Sequence, residues 1–576
     1  MPTLNWIGKE AVVNHHNEVA FHLLKDVPDL ACGDPGTGNL IVQGDNLVAL
    51  KALLPYYAGQ VKCIYIDQPY NTGNEAWVYN DNVSSPVIRE WLGKVVGKEG
   101  ETLDRHDRWL CMMYPRLALL RQFLADDGVM FVSIDDIELP FLRIVLDNLF
   151  PHAQAKNRLA TFVWETDGNF DNQAKVKISH EYILAYCRRF EDFPPPPVID
   201  LSIDAKSKLF RPEIRNTIVK NGLKNPISPI VLLEGFPADF EEGTIPARTD
   251  KWPHYDEDVV VRGGKVAKAV AAKSGWSSKA ICEDFIKSGF KLVSDTKKQL
   301  TRFVVTRTGA IEAVKVRSAS QSHVISVIRD VGSTQSTSEA LKEMGIQFSF
   351  PKPVALIAYL VSMVADKSGL VLDSFAGSGT TAHAVLDLNK QDGGNRRYIL
   401  VQLPHESEEQ REKGYNICEQ LTAKRVRAVT EGYTNSKGER VEGFGGGFRF
   451  CELGEPVFNE SGKIRESVRF ADLGRHVYFT ATGEPVPRER ISAKSPLLGV
   501  HQGRAICLLY NGILKDKSPD GGNALTQATL ALLREACGGQ KIERLVVYGT
   551  SQRLSTARLK RENVEFKQIP YSIRIA

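Results

Sequence analysis

The chain has 576 residues, 43% hydrophobic and 25% charged, so it carries more than one core at roughly 100–200 residues per domain. A formal net charge of +4 is close to balance, and any polyanion site has to come from local clusters of Lys and Arg. The nine cysteines are scattered without a CxxC pair, which argues against a zinc ribbon and a disulfide framework.

MPTLNWIGKEAVVNHH lacks the apolar core of a signal peptide, and no apolar run is long enough to span a bilayer. A soluble cytosolic protein with no membrane contact is expected. Short apolar runs follow in order: LIVQGD at Leu40–Asp45, VKCIYID at Val61–Asp67, and GVMFVSIDD at Gly128–Asp136. HEYILAYC begins at His180, GLVLDSF at Gly369, and RYILVQL at Arg397. Runs apolar on both faces predict parallel strands covered by helical crossovers. Asn46–Leu54 fits a helix between two of them. So does Arg108–Ala125, with an apolar stripe through Trp109, Met112, Met113, Leu117, Leu120 and Leu124. The pattern is α/β.

It breaks at Pro194–Pro197, which reads as an extended spacer. From there to Phe348 the chain is irregular and basic, with Arg262, Lys265, Lys268, Lys273, Lys279, Lys297, Lys298, Arg302 and Arg307 interleaved with Trp252, Trp276 and Phe303. The α/β pattern returns at FPKPVALI and runs to Pro404. Gly445-Gly446-Gly447 reads as a flexible linker inside a mixed C-terminal segment. The expected arrangement is an α/β domain split by an insertion, with boundaries at 1–197, 198–348, 349–405 and 406–576.

Two loops carry chemistry. Asp67-Gln68-Pro69-Tyr70 sits at a strand's carboxyl end, where open α/β sheets bind ligands. The carboxylate can accept hydrogen bonds, the proline stiffens the loop, and the tyrosine offers a stacking face. Asp373-Ser374-Phe375-Ala376-Gly377-Ser378-Gly379-Thr380-Thr381 follows a strand and opens a helix. Its glycines allow close backbone approach, and the helix N-terminus offers unpaired N–H groups. Read singly, each loop also fits an ordinary tight turn. His15-His16 and His180-Glu181 have no second pair at metal-ligand spacing, so no metal is expected.

Together, DQPYNTGNEAWVYND and DSFAGSGTT resemble the catalytic and cofactor motifs of β-class amino-methylating DNA methyltransferases, in that family's order. GDNLVALKAL, SHEYILAY and FPKPVALI are similar to further segments of it. NTGNEAWVYND, WETDGNFDNQAK and EFKQIPY resemble the modification (Mod) subunits of Type III restriction–modification systems. The resemblance implies a Rossmann-like S-adenosylmethionine-dependent methyltransferase domain with an inserted target-recognition domain at 198–348 and a C-terminal domain for dimer or partner contacts. It implies site-specific adenine-N6 methylation of double-stranded DNA by base flipping. It also implies a homodimer, a helicase–nuclease (Res) partner, and a bacterial cytosol, nucleoid-associated location. By the same resemblance Asp67, Gln68, Pro69 and Tyr70 are catalytic. Asp45, Lys352, Asp373, Phe375, Ala376, Gly377, Ser378, Gly379, Thr380 and Thr381 bind cofactor, although Lys352 also fits a solvated helix-end lysine.

Gln68 departs from the family's proline, which predicts a less rigid loop, and Gln402 stands where an acidic residue is usual. Two other readings stay open: a solitary regulatory methyltransferase, and a DNA-binding specificity subunit with weakened catalysis.

Overall fold

The computed structural model describes residues 4–71, 105–166, 175–198, 200, 203, 213–295, 299–316, 323–348, 350–405, 407–486, 491, 492, 494–510, 522–538 and 542–573. NTGNEAWVYND beyond Asn71, Lys297 and Lys298, and most of WETDGNFDNQAK lie outside the described residues. The chain divides into two compact units, 202–324 and the remainder.

The larger unit holds a separate four-stranded sheet within 497–568 and is built around one larger sheet, whose ten-strand path is joined by Cys32–Gly33 paired to Gly447–Pro456. The strands of that path are β1 (His22–Asp26), β2 (Leu40–Gln43), β3 (Val61–Ile66), β4 (Leu124–Ile134), β5 (Arg158–Glu165), β6 (His180–Cys187), β7 (Val327–Ile328), β8 (Leu370–Asp373), β9 (Arg397–Gln402) and β10 (Gly447–Pro456). They lie in the order β1-β10-β2-β9-β8-β3-β4-β6-β5-β7. From β10 to β4 all neighbours are parallel, and Ile41, Val42, Ile64, Ile66, Leu372 and Ile399 are fully buried, as a sheet covered on both faces requires. The flanking helices include α1 (Asn46–Tyr57), α2 (Arg105–Phe123), α3 (Thr334–Glu343), α4 (Val354–Val364), α5 (Thr380–Asp392) and α6 (Lys424–Glu431). This is a doubly wound, Rossmann-like α/β architecture.

The structure corrects the sequence reading in four places. β6, expected to be parallel, runs antiparallel to both β4 and β5. Gly447 is no linker. It opens β10 inside the sheet, and a Cβ there would stand 2.5 Å from the Cys32 carbonyl oxygen. Residues 325–348, assigned to the insertion, join the larger unit through β7 and α3. The segment 406–576 supplies β10 to the sheet, and Leu498, Ile506, Val546 and Tyr548 share one apolar core with Leu40 and Ile64.

The unit 202–324 is a set of small antiparallel sheets with the helix Lys279–Lys287. Its core holds Phe236, Tyr255, Phe285 and Phe303. Trp276 and Phe303, read from sequence as aromatics among phosphate contacts, are buried in that core, whereas Trp252 is exposed and stacked on His254 at 3.7 Å between ring centroids. Part of the basic run is neutralised: Lys268 pairs with Glu257 at 2.7 Å, Lys273 with Asp256 at 2.6 Å, and Arg302 with Glu213 at 2.8 Å.

Candidate active site

β3 and β8 are parallel neighbours, with Ile64 opposite Leu372, so their carboxyl ends open on the same edge of the sheet. From β3 the chain winds toward β4, and from β8 it winds toward β9 on the other side. That reversal is the switch point where two loops diverge and leave a crevice. One loop is Asp67–Tyr70 and the other Ser374–Gly379, so two segments distant in sequence meet at one place.

The loop Asp67–Tyr70 is pinned at each residue. Gln68 is fully buried, and its Nε2 donates to the Ser133 carbonyl at 2.6 Å. A side-chain anchor therefore stands where the family has a proline ring. The indole N–H of Trp109 donates to the Pro69 carbonyl at 2.7 Å. The hydroxyl of Tyr70 donates toward Asp67 Oδ1 at 2.8 Å and Glu181 Oε2 at 3.0 Å. Burial, with the charges of Asp67 and Glu181, pushes the Tyr70 phenol well above its ordinary range, so it remains a donor. Beyond it Asn71 takes a left-handed φ of 61°, held by Nδ2 donating to Arg105 O at 3.1 Å and Glu138 Oε1 at 2.5 Å. Glu138 is buried and also receives His106 at 2.7 Å. It staples the exit of the loop to the start of α2.

Lys352, expected to bind cofactor, lies beside the Asp67 loop. Its ammonium lies 2.9 Å from Asp67 Oδ1, 3.3 Å from Glu181 Oε2 and 5.0 Å from the Tyr70 ring centroid. At 8% exposure it is not a solvated helix-end lysine. Burial works against its charge, but the two carboxylates outweigh that and raise its pKa. Asp67 Oδ2 receives no hydrogen bond from the described residues.

The glycine turn after β8 is organised by its own polar side chains. Asp373 is buried, accepting Phe375 N–H at 3.0 Å on one oxygen and the Thr381 hydroxyl at 2.6 Å on the other. Burial lifts its carboxyl to about 7 against the pull of those bonds. Ala376 N–H donates to Val401 O at 3.2 Å, and Gly377 N–H to Gln402 Oε1 at 2.7 Å. Ser378 and Thr380 turn inward to Arg425 Nη1 at 2.7 and 2.8 Å. Arg425 is buried and has no carboxylate partner among the described residues. Its Nη2 meets His383 Nδ1 at 3.3 Å, and burial keeps that imidazole neutral by lowering its pKa to about 3. Gly379 has φ of 80°, and a Cβ there would meet Val426 at 3.1 Å and Thr422 O at 3.3 Å. Its lack of a side chain serves packing against α6. Thus Asp373, Ser378, Gly379, Thr380 and Thr381 shape the turn from within.

The groups left facing the crevice fit a polar cofactor. At Gly377, φ 50°, a Cβ would find only Phe348 at 3.8 Å and Phe375 O at 3.9 Å, so the backbone is open to approach. Ser374 Oγ is buried without a partner among the described residues, an unmet hydrogen-bonding group beside the turn. Asp45 caps α1 through Val48 N–H at 3.2 Å and holds Arg116 at 3.0 Å, and its side chain retains 34% exposure. Asn46 Nδ2 donates to Ser374 O at 3.1 Å, tying this second acidic corner to the turn.

Sequence reasoning missed Glu181, Trp109 and Arg425. The His180-Glu181 pair is visible in the sequence, but without a second pair at metal-ligand spacing. Arg425 sits on an amphipathic helix and gave no signal.

A DNA methylase family model matches residues 61–413, more than half of the chain. The chain is 29% identical over 480 residues to the Mod subunit of the Type III restriction–modification enzyme EcoP15I of Escherichia coli, covering 77% of this chain and 70% of that one. It is 30% identical over 455 residues to the EcoPI Mod subunit of Escherichia phage P1, covering 74% and 68%. The Type II methyltransferase M.KpnI of Klebsiella pneumoniae is 24% identical over 452 residues, with 76% of this chain and 98% of that one aligned. With two loops converging on one crevice and a family match spanning both, the chain belongs to the DNA methylases, with S-adenosylmethionine as methyl donor.

Proposed function

We propose that this protein is a site-specific DNA adenine-N6 methyltransferase acting as the modification subunit of a Type III-like restriction–modification system. The observation that carries the reading is Asp67. One carboxylate oxygen is anchored by Lys352 and Tyr70 and the other receives no hydrogen bond from the described residues, at the end of the strand beside the glycine turn. Adenine over cytosine is supported by the Type III relatives.

An exocyclic amine is a poor nucleophile because its lone pair is delocalised into the ring. Asp67 Oδ2 accepts one amine N–H and the Gln68 carbonyl the other, which turns the lone pair out of the ring plane. When bound, S-adenosylmethionine supplies an electrophilic methyl group on a sulfonium. Trp109 holds Pro69, and through it the carbonyl of Gln68, in register. The Tyr70 ring holds the flipped base, since the amine is out of reach inside a duplex. Asp45, Ser374, Phe375 and the backbone of Gly377 line the cofactor side. The unit 202–324 reads the DNA site, and a homodimer with a helicase–nuclease partner completes the assembly, in keeping with the Mod-subunit relatives.

The test is modified-base sequencing of DNA from cells with and without the gene, alongside labelled methyl incorporation in vitro. N6-methyladenine at one short asymmetric site supports the reading. N4-methylcytosine overturns the base assignment, and no incorporation points to a specificity subunit.

A further inference from the structure

Two donors and two acceptors close a ring at the mouth of β3. The Lys352 ammonium and the Tyr70 hydroxyl each reach both Asp67 Oδ1, at 2.9 and 2.8 Å, and Glu181 Oε2, at 3.3 and 3.0 Å. Glu181 comes from β6, where it lies opposite Trp164, whose ring centroid is 6.0 Å from the same ammonium. Side-chain exposures are 14% for Asp67, 8% for Lys352 and 23% for Glu181, so the cluster is largely shielded from water. With the phenol neutral, two carboxylates face one ammonium, and the ring holds a single net negative charge.

A simple Asp67–Lys352 pair would be a poor device for this reaction. Its partner would neutralise the carboxylate that has to accept the amine. In the transfer the bond between methyl carbon and sulfur breaks with its electrons going to sulfur. The amine lone pair forms the new carbon–nitrogen bond, positive charge moves onto nitrogen, and the surplus amine proton passes to Asp67 Oδ2. A site with net negative charge stabilises that developing charge, and in a shielded environment the effect is larger than in water.

We infer that Glu181 is a positioning residue for methyl transfer: it shares Lys352 with Asp67, so that the lysine can lock the carboxylate in place without cancelling its charge. The inference rests on the assignment of Asp67 as the amine acceptor. It goes beyond that assignment by giving Glu181 and Lys352 one joint electrostatic task.

Charge balance supplies the test. Single-turnover methyl incorporation from tritiated S-adenosylmethionine into unmethylated genomic DNA is measured for Glu181→Gln, Lys352→Met, the double variant and Asp67→Asn, with cofactor affinity measured on each. Glu181→Gln leaves Asp67 in a neutral pair and lowers the rate by about tenfold or more at unchanged cofactor affinity. The double variant restores the single negative charge and is faster than Glu181→Gln alone, a rescue that a structural role does not give. Parental turnover in Glu181→Gln, no rescue in the double variant, or loss of cofactor binding together with turnover overturns the proposal. Parental turnover in Asp67→Asn instead removes the assignment on which it rests.

Discussion

The amide of Gly377 donates to Gln402 Oε1 across 2.7 Å, so the end of β9 holds the turn that leaves β8. The family's usual acidic residue at this position can make the same bond, since only an acceptor is needed. Gln402→Ala should weaken S-adenosylmethionine binding by about fivefold to tenfold, the cost of one hydrogen bond in a preorganised loop. Gln402→Glu should bind at least as well as the parent. Calorimetric titration distinguishes them, and equal affinity for all three proteins would detach Gln402 from the cofactor loop.

That relationship also shows what the sequence could convey. The six apolar runs mark strands because burial on both faces leaves a continuous apolar signature. The two loops stand out through glycine, proline and acidic residues at strand ends. Which strands adjoin is set by tertiary packing, so β6 was expected parallel although it pairs antiparallel on both sides. Single residues that complete the site leave still less trace. Glu181 lies in a run that reads as core strand, and Gln402 reads as a lost carboxylate until its bond to Gly377 is seen. The division of the Ser/Thr-rich turn into inward and outward groups depends on Arg425, distant in sequence and buried.

Gln68 tests how the loop Asp67–Tyr70 is held. Its Nε2 satisfies the Ser133 carbonyl, but its own Oε1 is buried without a partner among the described residues, so the net gain is modest. Gln68→Ala should cost about 1–2 kcal/mol in unfolding free energy. Gln68→Pro should lose a similar amount yet methylate at the parental rate or faster, because the ring fixes φ and Trp109 still holds Pro69. A large loss of turnover in Gln68→Pro, at full cofactor affinity, would give the amide side chain a role of its own.

Asp373 makes the stability of the cofactor turn depend on pH. Burial raises its carboxyl from 3.8 to about 7, with the hydrogen bonds from Thr381 and Phe375 opposing and the charge of Asp67 adding to the rise. The folded state therefore keeps a proton that the unfolded chain sheds once pH passes 3.8. The contribution of this group to stability falls as pH climbs from about 4 to about 7 and is level above. Asp373→Asn preserves the shape without the titration. Thermal unfolding of the pair across that range should show the parent losing ground steadily to Asp373→Asn as pH rises. A constant difference would mean that the carboxyl is ionised throughout.

The unit 202–324 offers a sharper DNA-binding prediction than its composition did. Of its basic residues, Lys268, Lys273 and Arg302 are committed to acidic partners, and Lys279 lies 3.6 Å from Glu283. Arg262 and Lys265 are different. They face each other across the hairpin that turns at Gly263-Gly264, both are exposed, and neither has an ion-pair partner among the described residues. A phosphate can approach them without first breaking a salt bridge, whereas Lys268 and Lys273 must exchange one anion for another. Arg262→Ala with Lys265→Ala should weaken binding to duplex DNA across all sequences and flatten the salt dependence by about 0.9 in log–log slope for each phosphate left unneutralised. Lys268→Ala with Lys273→Ala should change both far less. Fluorescence anisotropy over a salt series reads the two slopes, and equal slopes for the two double variants would move the phosphate-binding surface away from the hairpin.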